Sequence, residues 1–139
     1  LCWRLRTMGK SIVCVSQSTA YHLGGATLHQ GNPRKTFLNF RNNLLMLYKN
    51  LPSDKLRSVL FVRALLDYVA AAMFMLKGEW GSAKAVFRAR REYRKLKREF
   101  RASREENLHK AVTMDVAERT PFSILWKYHV CGCKTFDKL

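Results

Sequence analysis

The sequence predicts an α/β end piece over residues 1–32 followed by a mainly α-helical tail, and three observations carry that reading. A short helical stripe runs into a glycine and then into a continuous β-branched segment. From residue 33 onward, apolar residues recur at helical rather than strand spacing. Beyond residue 57 a strongly apolar run is followed by a strongly basic one, the pairing expected of a helical segment that associates with a membrane surface.

Leu1, Leu5 and Met8 lie on one helical stripe flanked by Trp3 and Arg4, and Gly9 follows where a helix-ending glycine belongs. The chain starts with Leu1 inside what already looks like a helix, which predicts the C-terminal part of a longer protein. Ser11-Ile12-Val13-Cys14-Val15-Ser16 is apolar almost without interruption, as a strand buried on both faces would be. Helix, glycine turn and buried strand together predict the end of an α/β sheet. Tyr21-His22-Leu23-Gly24-Gly25 then falls where such sheets carry their sites. A neutral imidazole there can ligate Mn or Zn or handle a proton, and an ordinary structural histidine is the plain alternative.

Residues 33–52 read as an amphipathic linker helix. Asn32 can cap its free N–H groups, Pro33 has the first helical φ already set, and Pro52 ends it. Phe37, Phe40, Leu44, Leu47 and Tyr48 recur at three- and four-residue steps. Arg34 and Lys35 sit in the first turn, where cations oppose the helix dipole by roughly 0.3–1 kcal/mol each. A bound anion reverses that sign. With Gly24, Gly25 and Gly31 in the approach, these two residues form a candidate seat for a nucleotide or lipid phosphate. A solvated helix start is the alternative.

Residues 53–104 read as apolar then basic helices. The run 58–76, SVLFVRALLDYVAAAMFML, is ~28 Å long at helical rise, barely enough for a bilayer. Arg63 and Asp67 stand near its middle. Each costs ~2.5–3.5 kcal/mol at the bilayer centre, against ~0.3–0.6 gained per large apolar residue. Their i, i+4 spacing lets them pair on one face. The magnitudes favour a helix lying in the interface, re-entrant, or packed on its neighbours over a full span.

Residues 84–104 hold ten basic side chains against Glu92 and Glu99, half of the chain's net charge of +16. Such an excess requires a polyanion: anionic lipid, a phosphorylated ligand or nucleic acid. An apolar run directly upstream favours the membrane over a nucleic-acid backbone, and no nucleic-acid-binding motif is present. Residues 105–139 form a tail, polar to Thr120 and then aromatic from Phe122 to Val130. The four cysteines show no disulfide framework, as in a reducing compartment. His129, Cys131 and Cys133 make an H-x-C-x-C cluster that lacks the second ligand pair of a structural zinc site.

LCWRLRTMGKSIVCVSQSTAYHLGGATL followed by NPRKTFLNFRNNLLMLYKNLP resembles the C-terminal end of the catalytic domain of bacterial family 2 glycosyltransferases, in the rhamnosyltransferase-like branch that builds cell-surface polysaccharide. The resemblance covers Leu1 to about Pro52 and rests on LCWRL, YHLGG and FRNN occurring in that order. It implies a GT-A, Rossmann-like fold, a nucleotide-diphospho-sugar donor held through Mg or Mn, and a glycan or lipid-linked acceptor. The implied location is the cytoplasmic face of the inner membrane. By the same resemblance His22 is a metal or diphosphate contact, Arg41 and Asn42 lie close to the donor, Arg34 and Lys35 are further phosphate candidates, and Trp3 borders the acceptor. The general base is expected upstream of Leu1, so no catalytic residue is assigned here and the chain alone is expected to be inactive. Two other functions stay open: a basic helical nucleic-acid-binding module, and a membrane adaptor without chemistry.

Overall fold

The periodic stretches become helices and the predicted strand does not form. The computed structural model describes residues 1–21, 29, 31–114, 116, 124–129 and 131–135. Its elements are α1 (Cys2–Thr7), α2 (Pro33–Asn50), α3 (Ser53–Leu76), α4 (Trp80–Glu99), α5 (Arg101–His109) and α6 (Ile124–His129). No strand exists among the described residues. Ile12, Val13 and Val15 are 46%, 79% and 56% exposed in an irregular segment. An extended segment needs a neighbour to satisfy its backbone N–H and C=O groups, and no second extended segment lies beside it among the described residues. The expected α/β end piece over residues 1–32, the end of a GT-A Rossmann-like sheet, is therefore overturned. Among the described residues of that stretch stand α1 and an irregular segment after it.

α1 ends at Thr7 with Met8 as its C-cap, and Gly9 takes a φ of +74°, a left-handed value that glycine adopts without a Cβ penalty. The Thr7 carbonyl accepts the N–H groups of Val112 and Thr113 at 2.7 and 3.1 Å, which ties α1 to the segment after α5.

α2 begins as its sequence dictates. The Asn32 side chain accepts the Arg34 N–H at 2.8 Å and Pro33 occupies the first turn. Its other end is closed from a distance. Arg104 of α5 donates to the Tyr48 carbonyl and to Ser53 Oγ at 3.2 Å, while Asn107 donates to the Lys49 carbonyl at 3.4 Å. These are carbonyls that the helix itself leaves without partners. A buried guanidinium at the negative end of the dipole also has favourable electrostatics.

α2 and α4 run parallel, with α3 antiparallel to both. Pro33 meets Gly81 at one end, and further along Tyr48 packs edge-on against Tyr93 with ring centroids 6.2 Å apart. The core is Leu44, Leu45 and Tyr93, with Tyr48, Leu60, Leu96 and Phe100 packed around it. Buried Ser82, Ala83, Ala85 and Ala89 give α4 a small-residue face on which its neighbours approach closely.

Gly81 lets α4 approach Pro33 closely. A Cβ built on it would lie 2.8 Å from Pro33 Cγ, a ring atom that cannot swing aside. Overpacking of this kind costs about 1–3 kcal/mol, more than the roughly 1 kcal/mol that alanine gains over glycine in a helix. Gly81→Ala is expected to lower the midpoint of thermal unfolding. An unchanged midpoint would mean that the first turn of α4 slides freely on α2.

Candidate functional site

α3 carries the chain's most unusual surface. It is 24 residues long, ~36 Å at helical rise, and is long and apolar enough to cross a membrane. Only 11% of its most apolar window is buried, so it is not a core helix of the ordinary kind. Phe61, Val62, Leu65, Leu66, Val69, Met73 and Leu76 are between 40% and 88% exposed. Helical spacing puts them on one side, and contiguous apolar surface of this extent marks a binding face. Trp80, 59% exposed, follows at the turn into α4.

The two charges of the apolar run point the other way. Asp67 is fully buried, and Arg90 of α4 donates to its Oδ2 at 2.6 Å. Arg63 Nε lies 2.7 Å from Oδ1. That contact has ion-pair distance without hydrogen-bond alignment, since neither atom has a hydrogen-bond partner, and its contribution is coulombic. The guanidiniums are further placed by rings: Arg63 lies 5.3 Å from the Phe40 centroid and Arg90 5.3 Å from that of Tyr68. Sequence spacing predicted the Arg63–Asp67 pair. Arg90, 23 residues away, completes it.

The opposite kind of surface lies on α4, where Arg91, Arg94, Lys95 and Arg98 are exposed and line a shallow groove. Two further clefts flank Arg41. The larger, about 520 Å³, has an apolar floor that includes Leu45, Met46 and Phe100 and a rim of Arg4, Arg41, Asn42 and Lys49. The Lys49 ammonium is held below the ordinary lysine range, first by burial and then by the nearby Arg4 charge, and stands 3.5 Å from the Phe100 centroid. The smaller cleft, about 390 Å³, is lined by Pro33, Arg34, Phe37, Leu38, Arg41 and Arg88. Neither lining includes a carboxylate.

The residues expected to form a site are only partly brought together. Arg41 and Asn42 share the larger cleft, where Arg41 donates through Nε and Nη2 to Asn42 Oδ1 at 3.1 and 2.9 Å. Arg34 lines the smaller cleft with Arg41, whereas Lys35 lines neither. Trp3 is half-buried in α1 but is absent from both linings, whereas Leu1 and Arg4 line the larger cleft. His22 lies outside the described residues. Sequence reasoning missed Arg4, Lys49 and Arg88, whose placement depends on how separate helices dock.

A divalent ion does not suit these clefts, because cations without a carboxylate repel it and instead attract phosphoryl oxygens. Among the described residues, no three His, Cys, Asp or Glu side chains stand together. Cys131 is exposed and Cys133 half-buried, both as free thiols. Compared with known proteins, the chain matches no family model, no curated protein and no solved structure.

Proposed function

We propose that this chain is a membrane-docking segment of a family 2 glycosyltransferase, serving to hold a nucleotide-diphospho-sugar-using enzyme at an anionic membrane surface where lipid-linked acceptors are presented. The observation that carries the docking is the sidedness of α3. Its outward face is apolar, while Arg63 and Asp67 turn inward, where Asp67 is paired with both Arg63 and Arg90. The transferase assignment is supported by LCWRL, YHLGG and FRNN in order, and by the first and third of these contributing Leu1, Arg4, Arg41 and Asn42 to one cleft. Arg41 and Asn42 are the residues proposed to lie near the donor diphosphate.

The docked helix lies along the interface. α4 runs beside α3, so carrying α3 through the bilayer would carry Arg91, Arg94, Lys95 and Arg98 with it. Arg91 and Arg94, beside the middle of α3, cost ~2.5–3.5 kcal/mol each at the bilayer centre, about 5 kcal/mol or more together, against about 2–4 kcal/mol gained by the seven exposed apolar residues of α3. In-plane, the same cations meet lipid phosphates at about 1 kcal/mol apiece.

Flotation of the chain with phosphatidylglycerol-containing vesicles, beside a binding titration on duplex DNA at matched salt, tests the docking. Co-flotation without DNA binding is the expected result. DNA binding without co-flotation would replace the proposal with a nucleic-acid-binding module.

A further inference from the structure

We propose that the smaller cleft, between α2 and α4, is a phosphoryl-binding site in which Arg88 completes a three-guanidinium cluster with Arg34 and Arg41. The inference deepens the docking proposal and rests on it for one of the two possible sources of the phosphate.

Three arginines from two helices line one cleft, and among the described residues no carboxylate pairs with any of them. Elsewhere the fold does supply such partners: Asp67 serves Arg63 and Arg90, and Glu105 serves Arg101 at 3.0 Å. Like charges gathered without a counter-ion repel one another, and a phosphoryl group with several acceptor oxygens turns that repulsion into attraction.

The cluster is also oriented. The Arg41 and Arg88 guanidiniums lie 5.2 and 5.4 Å from the Phe37 centroid, so one ring positions both. Arg41 spends Nε and Nη2 on Asn42 Oδ1, which fixes its plane and leaves Nη1 for a ligand. The close contact of Gly81 with Pro33 holds α4 against α2 beside the cleft, since Pro33 is itself a lining residue.

Its place in the bundle admits two phosphate sources. Trp80 precedes Gly81, so the cleft shares the end of the bundle where the apolar run of α3 finishes. Exposed tryptophans favour the headgroup level of a bilayer, which brings lipid phosphate within reach. Arg41 also borders the larger cleft, so a soluble diphosphate can be held between the two.

The test titrates the full chain with inorganic pyrophosphate by calorimetry and, separately, floats it with phosphatidylcholine vesicles containing phosphatidic acid. Arg88→Gln and Arg34→Gln are compared with Arg101→Gln, which removes an exposed charge that lines none of the clefts and is already paired with Glu105. All three side chains are exposed, and matched far-UV circular dichroism melts verify folding. Loss of one charge-assisted contact is expected to weaken binding about tenfold in Arg88→Gln and Arg34→Gln, with little change in Arg101→Gln. An effect on pyrophosphate assigns a soluble diphosphate, and an effect on vesicles alone assigns the lipid headgroup. The inference is overturned if Arg88→Gln and Arg34→Gln bind both probes as the parent does, or if Arg101→Gln weakens binding equally. Parent binding to vesicles that ignores Arg88, with no pyrophosphate binding, removes the cleft and leaves membrane docking standing.

Discussion

Asp67→Ala is expected to destabilise the protein by about 3–5 kcal/mol, the cost of leaving buried charges without their counter-charge. Asp67 has no solvent exposure and sits between Arg63 and Arg90 at 2.7 and 2.6 Å. Its removal leaves two guanidiniums facing each other at the α3–α4 contact. A loss of that size is a large part of the 5–15 kcal/mol that ordinary domains possess. Urea unfolding in a mild detergent, followed by circular dichroism, measures it. Replacing all three members together, Arg63→Leu, Asp67→Leu and Arg90→Met, is expected to be neutral or to stabilise by about 1–4 kcal/mol, because desolvation of the triad is then no longer required. If the single and triple variants unfold alike, the triad does not hold α3 against α4.

The second large effect falls on the opposite side of the same helix. Leu65→Asp places a charge on the outward face of α3 at a residue 52% exposed. In water the change is expected to be nearly silent, within about 0.5 kcal/mol of stability. At a membrane the new carboxylate is resisted by up to ~2.5–3.5 kcal/mol, which corresponds to a loss of vesicle affinity on the order of a hundredfold. Flotation read against circular dichroism separates the two. A variant that remains folded and still floats as the parent does would place the membrane contact elsewhere than on α3.

The contrast between these two substitutions shows where the sequence was readable. Arg63 and Asp67 announced themselves as an i, i+4 pair in an apolar run, and pairing on one face followed from helix geometry alone. Asn32, Pro33 and Pro52 marked the limits of α2, and the structure has that helix over Pro33–Asn50 with the Asn32 cap formed. Ser11–Ser16 misled because continuous β-branched residues report only a preference for an extended backbone. Whether that preference becomes a strand depends on a partner, and partners lie outside the segment that expresses it.

The candidate clefts divide in the same way. Arg34, Arg41 and Asn42 were legible as residues able to meet an anion, from their place in the first turns of α2 and in the FRNN motif. Arg88 and Arg4 were not, since each reads as one basic residue among many. The parallel register of α2 and α4, set by the Gly81–Pro33 approach, brings Arg88 to Phe37.

By itself, the sequence determined the helices α2, α3 and α4, the apolar length of α3 and the basic excess that follows it. These are local properties, carried by spacing and composition within a few turns. The tertiary structure alone decided that the α3 charges are paired inward with Arg90, that α5 caps α2 through Arg104, and that three arginines share a cleft. Each of these joins groups 23 or more residues apart, and their meeting depends on helix docking, which no single segment encodes.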